Sequence, residues 1–251
     1  MSEIILNGRK VKVRKGEFLL AVARREGIEI PTLCQHDAVE PAGACRLCLV
    51  EVTRPEWEGW SKLVTSCLFP AEDGLIVSTD SAPVHKTRKG ILELLMARSP
   101  NAVPVRELAR QYGIEQCPYP VQHDGDNCIL CDICTRVCQN LVTGAISRID
   151  RGVGKRVATP FAEPSTDCVG CLACAKSCPT AAIPYEDEGL RRTIWGKTFE
   201  VASCAGCGAP TVTAEQAAWI EQSKGVSRED QLVCDRCKAQ KTAAAYQKLA
   251  W

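Results

Sequence analysis

The chain has 251 residues, 45% of them hydrophobic but only 5% aromatic, with 17 cysteines and a formal net charge of +1 from 31 basic and 30 acidic side chains. That balance fits several small globular modules held together partly by something other than side-chain packing. The charges are interspersed, without the basic stripe that phosphate binding needs, so no nucleic-acid partner is expected, and no stretch approaches the length of a membrane span.

Ile4 to Val13 reads as two strands around Asn7-Gly8, an Asn-Gly pair between apolar residues. Glu17 to Glu26 predicts a helix with Leu19, Leu20, Val22 and Ala23 on its apolar face and Gly27 as its stop. Ile28 to Leu33 leads into the first cysteine, and Leu49 to Thr53 and Leu75 to Ser78 read as further strands. Hairpin, helix and returning strands predict a β-grasp unit over residues 1–82. Residues 83–116 are a helical spacer, with Ile91, Leu92, Leu94, Leu95 and Leu108 on two helices broken near Ser99-Pro100 and Pro104 and no cysteine before Cys117. Residues 117–190 are cysteine-rich with two short helical spans. In the last module, residues 191–251, Thr193 to Val201 reads as one strand, and Thr213-Ala214-Glu215-Gln216 as a capping box opening a helix to about Gln222. No flexible linker separates these modules, so they are expected to pack together.

The cysteines could be disulfides of a secreted protein or metal ligands in a reducing compartment. Met1 to Lys10 lacks the apolar core of a signal peptide, so a cytoplasmic protein is expected, in which thiols stay reduced. An odd total grouped in C-x2-C pairs points the same way, to metal ligands.

The first group, Cys34, Cys45, Cys48 and Cys67, is C-x10-C-x2-C-x18-C. One loop carrying three thiolates and a distant fourth can enclose a [2Fe–2S] cluster, and the small residues Gly43-Ala44 let backbone N–H groups approach its sulfurs. The second and third groups are Cys128, Cys131, Cys134, Cys138 and Cys168, Cys171, Cys174, Cys178, each C-x2-C-x2-C-x3-C, with Pro179 after the latter. In this two-cluster run three thiolates from a tight loop hold one [4Fe–4S] cube, and the fourth, a helical turn on, reaches the other cube. One cluster is therefore expected on Cys128, Cys131, Cys134 and Cys178, the other on Cys168, Cys171, Cys174 and Cys138. Three cysteines at i, i+3 and i+6 are poor tetrahedral zinc geometry.

Pro31-Thr32-Leu33-Cys34 with Gly43-Ala44-Cys45-Arg46-Leu47-Cys48-Leu49-Val50-Glu51-Val52 resembles the N-terminal domain of the large iron–sulfur subunit of NADH-quinone oxidoreductase. It equally resembles the diaphorase iron–sulfur subunit of NAD-linked hydrogenases and the accessory domain of [FeFe]-hydrogenases. Cys128-Ile129-Leu130-Cys131 is similar to the dicluster domain of the same families, although Gln139 stands where small ferredoxins carry proline. These families usually carry a further [4Fe–4S] cluster on an H-x3-C-x2-C-x5-C motif between the two ferredoxin parts. Here Arg88 to Leu95 and Glu107 to Ile114 resemble the flanks of that motif, but Met96 to Arg106 between them contains neither histidine nor thiol. That cluster is expected to be absent, leaving a gap that domain packing or a partner's cofactor must bridge.

The fourth group is Cys204-Ala205-Gly206-Cys207 and Cys234-Asp235-Arg236-Cys237, with 26 residues between the pairs. It resembles a zinc ribbon, and one structural Zn²⁺ is favoured over an additional iron–sulfur cluster, which the same thiolates could also hold. Cys117 reads as a small buried hydrophobe, and His36, His85 and His123 as solvated loop residues, with His36 close enough to Cys34 in sequence to tune a cluster. The whole is an α+β, multi-module chain with no dinucleotide fingerprint, no P-loop and no catalytic constellation. The resemblance implies a non-catalytic electron-transfer subunit of a cytoplasmic NAD(P)-linked oxidoreductase such as a hydrogenase or formate dehydrogenase, with electron bifurcation as an option. It implies a flavin-containing NAD(P)H-oxidising subunit and a catalytic subunit as partners, and soluble ferredoxin as a further candidate. A free-standing ferredoxin-like carrier and a zinc-binding scaffold are the alternatives.

Overall fold

The computed structural model describes residues 2–121 and 125–249, so His123 lies outside the described residues. Strands β1 (Ser2–Leu6) and β2 (Arg9–Val13) pair antiparallel through Asn7 and Gly8, whose φ values of 48° and 81° are those of a type I′ turn. The expected helix is α1 (Leu19–Arg25), which buries Leu19, Leu20, Val22 and Ala23 as the pattern requires. β3 (Leu49–Thr53), β4 (Ser61–Thr65) and β5 (Ile76–Ser78) complete a five-stranded sheet in the order β2-β1-β5-β3-β4, with β1 and β5 parallel. Ile4, Leu6, Leu75, Val50, Val52 and Val77 from the sheet and Val22 from α1 form its core.

Helices α2 (Ala82–Arg98) and α3 (Val103–Gln111) occupy the spacer and break at Ser99–Ala102; Pro104 sits in the first turn of α3, where its missing N–H costs nothing. They share one core with both cysteine-bearing parts, in which Leu92, Ala102, Val105 and Ala109 pack with Leu33, Cys34, Cys45 and Leu47 on one side and Ile129, Cys131, Ile133 and Val137 on the other. The segment without a cluster motif is thus filled by small and branched side chains. α4 (Ile133–Leu141) and α5 (Ala173–Lys176) then pack together, with the hairpin β6 (Ser147–Ile149) and β7 (Arg156–Ala158) in the insertion between them.

A second sheet, in the order β11-β10-β9-β8, follows from β8 (Tyr185–Glu188), β9 (Arg191–Ile194), β10 (Lys197–Ser203) and β11 (Pro210–Thr213). The single strand expected over Thr193 to Val201 is instead a hairpin, because Trp195 and Gly196 both take positive φ and reverse the chain. β8 and β9 pair across the 190/191 boundary expected between modules. α6 (Ala214–Lys224) begins as the capping box predicts, with Thr213 Oγ1 accepting from the Gln216 N–H at 3.1 Å, and α7 (Arg228–Gln231) and α8 (Asp235–Leu249) follow. No helix among the described residues is long and apolar enough to cross a membrane.

Gly170 joins this sheet to the preceding cysteine loop. A Cβ there would lie 2.8 Å from the Phe199 ring and 3.0 Å from Thr213 Cγ2, and its φ is +65°. Gly170→Ala should therefore destabilise the protein by about 2–5 kcal/mol, combining left-handed backbone strain with overpacking. Chemical denaturation of the metal-loaded protein, with Gly144→Ala as a roomier left-handed control, checks this; equal losses would show that crowding by Phe199 contributes nothing.

Candidate iron–sulfur and metal sites

Cys34, Cys45, Cys48 and Cys67 are all buried, Cys48 and Cys67 in the core of the first sheet and Cys34 and Cys45 in the core shared with α2 and α3. The loop turns its backbone toward sulfur: the Leu33 N–H donates to Cys45 Sγ and the Cys45 N–H to Cys34 Sγ, both at 3.4 Å. The thiols form two pairs. Hydrogen bonding from Cys45 holds Cys34 down at about 6 against burial, assisted by the Cys45 and Ala44 N–H groups, and Cys45 is pushed up in exchange. Cys67 likewise lowers Cys48 to about 6 and is itself pushed up. The N–H groups at Ala44 and Cys45 are those the small Gly43-Ala44 segment was expected to present. His36 does not join them, since its Nδ1 accepts from the Ala38 N–H at 3.2 Å.

The two C-x2-C-x2-C-x3-C runs repeat one backbone device. Leu130 and Asp132 in the first and Gly170 and Leu172 in the second are left-handed, at φ 53°, 63°, 65° and 61°. This folds each loop so that its own N–H groups face its sulfurs: Leu130 and Ile133 bond Cys128 and Cys131, and Gly170 and Ala173 bond Cys168 and Cys171. Two thiol-lined cavities result. One is bounded by Cys128, Cys131, Cys134 and Cys178, the other by Cys168, Cys171, Cys174 and Cys138.

Burial pushes Cys128, Cys131 and Cys134 up, Cys131 to about 12, and Cys178 adds to the push on all three. Burial does the same to Cys168, Cys171 and Cys174, the last to about 11, with Cys138 adding to each. Buried thiols that resist ionising on their own, crowded four to a cavity, suit a cationic iron core that supplies the missing positive charge. The residues present therefore fit the clusters that their spacing implies.

Around these sites lies a set of cations that sequence reasoning missed. Arg98 Nε donates to the Cys128 carbonyl at 3.0 Å, Lys197 Nζ to the Cys168 carbonyl at 2.9 Å, and Arg192 Nη1 to the Gly170 carbonyl at 3.0 Å. Arg88, 3% exposed, reaches the Leu49 carbonyl beside Cys48 at 2.6 Å and the Tyr112 hydroxyl at 3.1 Å. Arg136 touches both cysteine-bearing parts: its Nη2 donates to the Cys34 carbonyl at 3.0 Å and to the Cys131 carbonyl at 3.5 Å, and its Nη1 to the Glu40 carbonyl. Cys34 and Cys131 lie near enough for one thiol to act on the other. Domain packing thus brings the first cysteine loop against the second, across the segment that lacks a motif. Ser99 Oγ strengthens the junction with a 3.0 Å bond to the Cys128 carbonyl.

In the fourth group the sulfurs of Cys204, Cys207, Cys234 and Cys237 all lie within 4.8 Å of one another, close enough to hold one metal ion. The Cys234 N–H donates to Cys204 Sγ at 3.2 Å and the Gly206 N–H at 3.4 Å, which holds Cys204 down at about 6. Ala209 lowers Cys207, and hydrogen bonding to Cys207 raises Cys237 to about 12. Cys117 stands apart, half-buried, with its Sγ donating to the Glu93 carbonyl at 3.3 Å. His85 is exposed and pairs with Asp80.

Residues 2–82 match the 2Fe-2S iron-sulfur cluster binding domain family and residues 127–182 the 4Fe-4S dicluster domain family. The NADPH-Fe(3+) oxidoreductase subunit alpha of Geobacter sulfurreducens is 28% identical over 231 residues, covering 82% of this chain and 27% of that protein. The NADP-reducing hydrogenase subunit HndD of Solidesulfovibrio fructosivorans is 31% identical over 214 residues, 73% of this chain and 36% of that one. The mitochondrial NADH-ubiquinone oxidoreductase 78 kDa subunit of Candida albicans is 28% identical over 235 residues, 81% of this chain and 32% of its own length. The chain thus spans about a third of the length of these relatives. A crystal structure of an NAD+-reducing [NiFe]-hydrogenase in the H2-reduced state superposes with a TM-score of 0.62 at 25% identity, covering 72% of this chain and 86% of that one. The chain joins a 2Fe-2S cluster binding domain to a 4Fe-4S dicluster domain, and it is a homologue of the NADH-ubiquinone oxidoreductase 78 kDa subunit and of the NADP-reducing hydrogenase subunit HndD.

Proposed function

We propose that this chain is a three-cluster electron relay within a cytoplasmic NAD(P)-linked oxidoreductase. Its [2Fe–2S] cluster would be held by Cys34, Cys45, Cys48 and Cys67. One [4Fe–4S] cluster would take Cys128, Cys131, Cys134 and Cys178, the other Cys168, Cys171, Cys174 and Cys138. The observation that carries this reading is the pair of cavities, each lined by three thiols of one run and the last thiol of the other. Crossed ligation keeps the two cubes adjacent, which favours electron exchange between them. The pairing of Cys34 with Cys45 and of Cys48 with Cys67 supports two irons sharing four thiolates at the first site.

The expected modules are residues 1–82, 83–116, 117–190 and 191–251, the third and fourth interlocked through the β8–β9 hairpin. Structural zinc suits the fourth site. Four thiolates about 2.3 Å from one ion stand about 3.8 Å apart, and the 3.6 Å separation of Cys207 and Cys234 agrees with a single ion better than with a bulkier cube. The names of the relatives, subunits of NAD(P)-linked oxidoreductases, support partner subunits of such a complex, for which the sequence resemblance suggests a flavin-containing NAD(P)H-oxidising subunit, a catalytic subunit and soluble ferredoxin.

Anaerobic purification with iron, zinc, sulfide and subunit analysis tests the reading. About ten irons and one zinc per chain are expected. About fourteen irons would make the fourth site a cube, and a colourless, zinc-only protein would sink the relay altogether.

A further inference from the structure

The β9–β10 hairpin turns on Trp195 and Gly196, at φ 53° and 71°. Such a turn favours Asn-Gly, the pair this chain uses at Asn7-Gly8, because a bulky side chain at positive φ crowds its own backbone. A tryptophan in that position is a conformational outlier, and outliers of this kind persist where surrounding structure holds them for a purpose. Its surroundings are specific. The Trp195 ring lines both thiol cavities and packs against the core that includes Cys134, Cys138 and Cys174.

The indole carries a second anomaly. Nε1 is buried and makes no ordinary hydrogen bond, although a buried tryptophan N–H usually finds a partner. The space it borders is the one that the thiols of each cavity share, so a cluster sulfur is the acceptor that space would offer it. The neighbouring cations act differently, since Lys197 and Arg192 donate to carbonyls of the loop. Trp195 instead brings a buried side-chain N–H, without a hydrogen-bond partner among the described residues, to the wall of both cavities.

We propose that Trp195 is a cluster-tuning residue, whose buried Nε1–H bonds a sulfur of one [4Fe–4S] cluster while its ring keeps water from the space between both. This rests on the iron–sulfur reading above. When one electron is added to the cluster, with no bond made or broken, its sulfurs become more negative and the N–H···S bond strengthens. The indole therefore favours the reduced form and raises the potential of the cluster it bonds, setting it apart from its twin. The two runs have the same spacing and mirrored loops, so an asymmetric donor of this kind gives electron flow between the cubes a preferred direction.

The test uses the full chain, purified anaerobically with its clusters. Trp195→Phe keeps a ring in the turn and removes only the N–H. EPR-monitored redox titration should show one [4Fe–4S] midpoint shifted downward, with the [2Fe–2S] midpoint unmoved and iron content unchanged. Trp219→Phe, on α6 beside Lys224, should move none of them. Unchanged midpoints in Trp195→Phe with full clusters would overturn the proposal.

Should that variant fail to fold, the unaltered chain decides. With ¹⁵N at the indole nitrogens, pulsed EPR of a reduced [4Fe–4S] cluster should show nitrogen hyperfine coupling, and absence of coupling would equally overturn it. A chain that binds no [4Fe–4S] cluster at all would instead remove the reading on which the proposal stands, an outcome iron and sulfide analysis recognises by itself.

Discussion

Cys178→Ala is expected to damage the cluster of the other run, the one nested in Cys128, Cys131 and Cys134. The loss should lie between one iron, if a three-iron fragment survives, and all four of that cube. The argument is positional. Cys178 lies on the second run, yet it lines the cavity of the first and raises all three of that cavity's thiols, while Cys138 does the converse. Cys178 is also held in place: its Sγ accepts from the Ala182 N–H at 3.3 Å and sits 3.6 Å from Thr180 Oγ1. EPR spectra of the reduced variants make the comparison. Cys178→Ala should abolish the component that Cys128→Ala abolishes and spare the one that Cys168→Ala abolishes; the reverse match would end the crossed assignment.

Local devices were legible in the sequence and long-range ones were not. Asn7-Gly8 announces its turn because few residue pairs tolerate two positive φ values, and Thr213-Ala214-Glu215-Gln216 announces its cap because donor and acceptor are three residues apart. The cysteine spacings work in the same way, since one tight loop must present three sulfurs. Trp195 breaks the rule that made Asn7-Gly8 readable, so a strand was expected through it. Arg88 and Arg136 were invisible for another reason: the carbonyls they bind at Leu49 and Cys34 lie 39 and 102 residues away, and an arginine inside a helical pattern reads as solvated surface. The absence of the cluster motif was legible, but the packing of Ala102 and Val105 in its place was not, because small apolar residues carry no spacing signal.

Arg136 is where this long-range layer should matter most to electron flow. The described residues offer its guanidinium four carbonyls, at Cys34, Glu40, Cys131 and Asp132, and no carboxylate within ion-pair distance. Its field lowers Cys34, an effect secondary to the hydrogen bond from Cys45. That charge acts on a ligand of the proposed [2Fe–2S] site. Removing the charge with Arg136→Met should lower the [2Fe–2S] midpoint, because the reduced cluster is more negative and loses the greater stabilisation. At an effective dielectric of about 20 the loss is on the order of 1–2 kcal/mol, or roughly 40–90 mV for a one-electron couple. Stability should fall by about 1–3 kcal/mol with the lost charged hydrogen bonds. Arg136→Lys separates the two effects, since an ammonium keeps the charge but cannot span the carbonyls of both parts with a planar fork. It should hold most of the potential while losing much of the stability. Redox titration beside denaturant unfolding reads both quantities. If Arg136→Met left the midpoint in place while stability dropped, the residue would be a clamp between the two parts and the [2Fe–2S] potential would be set elsewhere, with the buried Arg88 beside Cys48 the next residue to change.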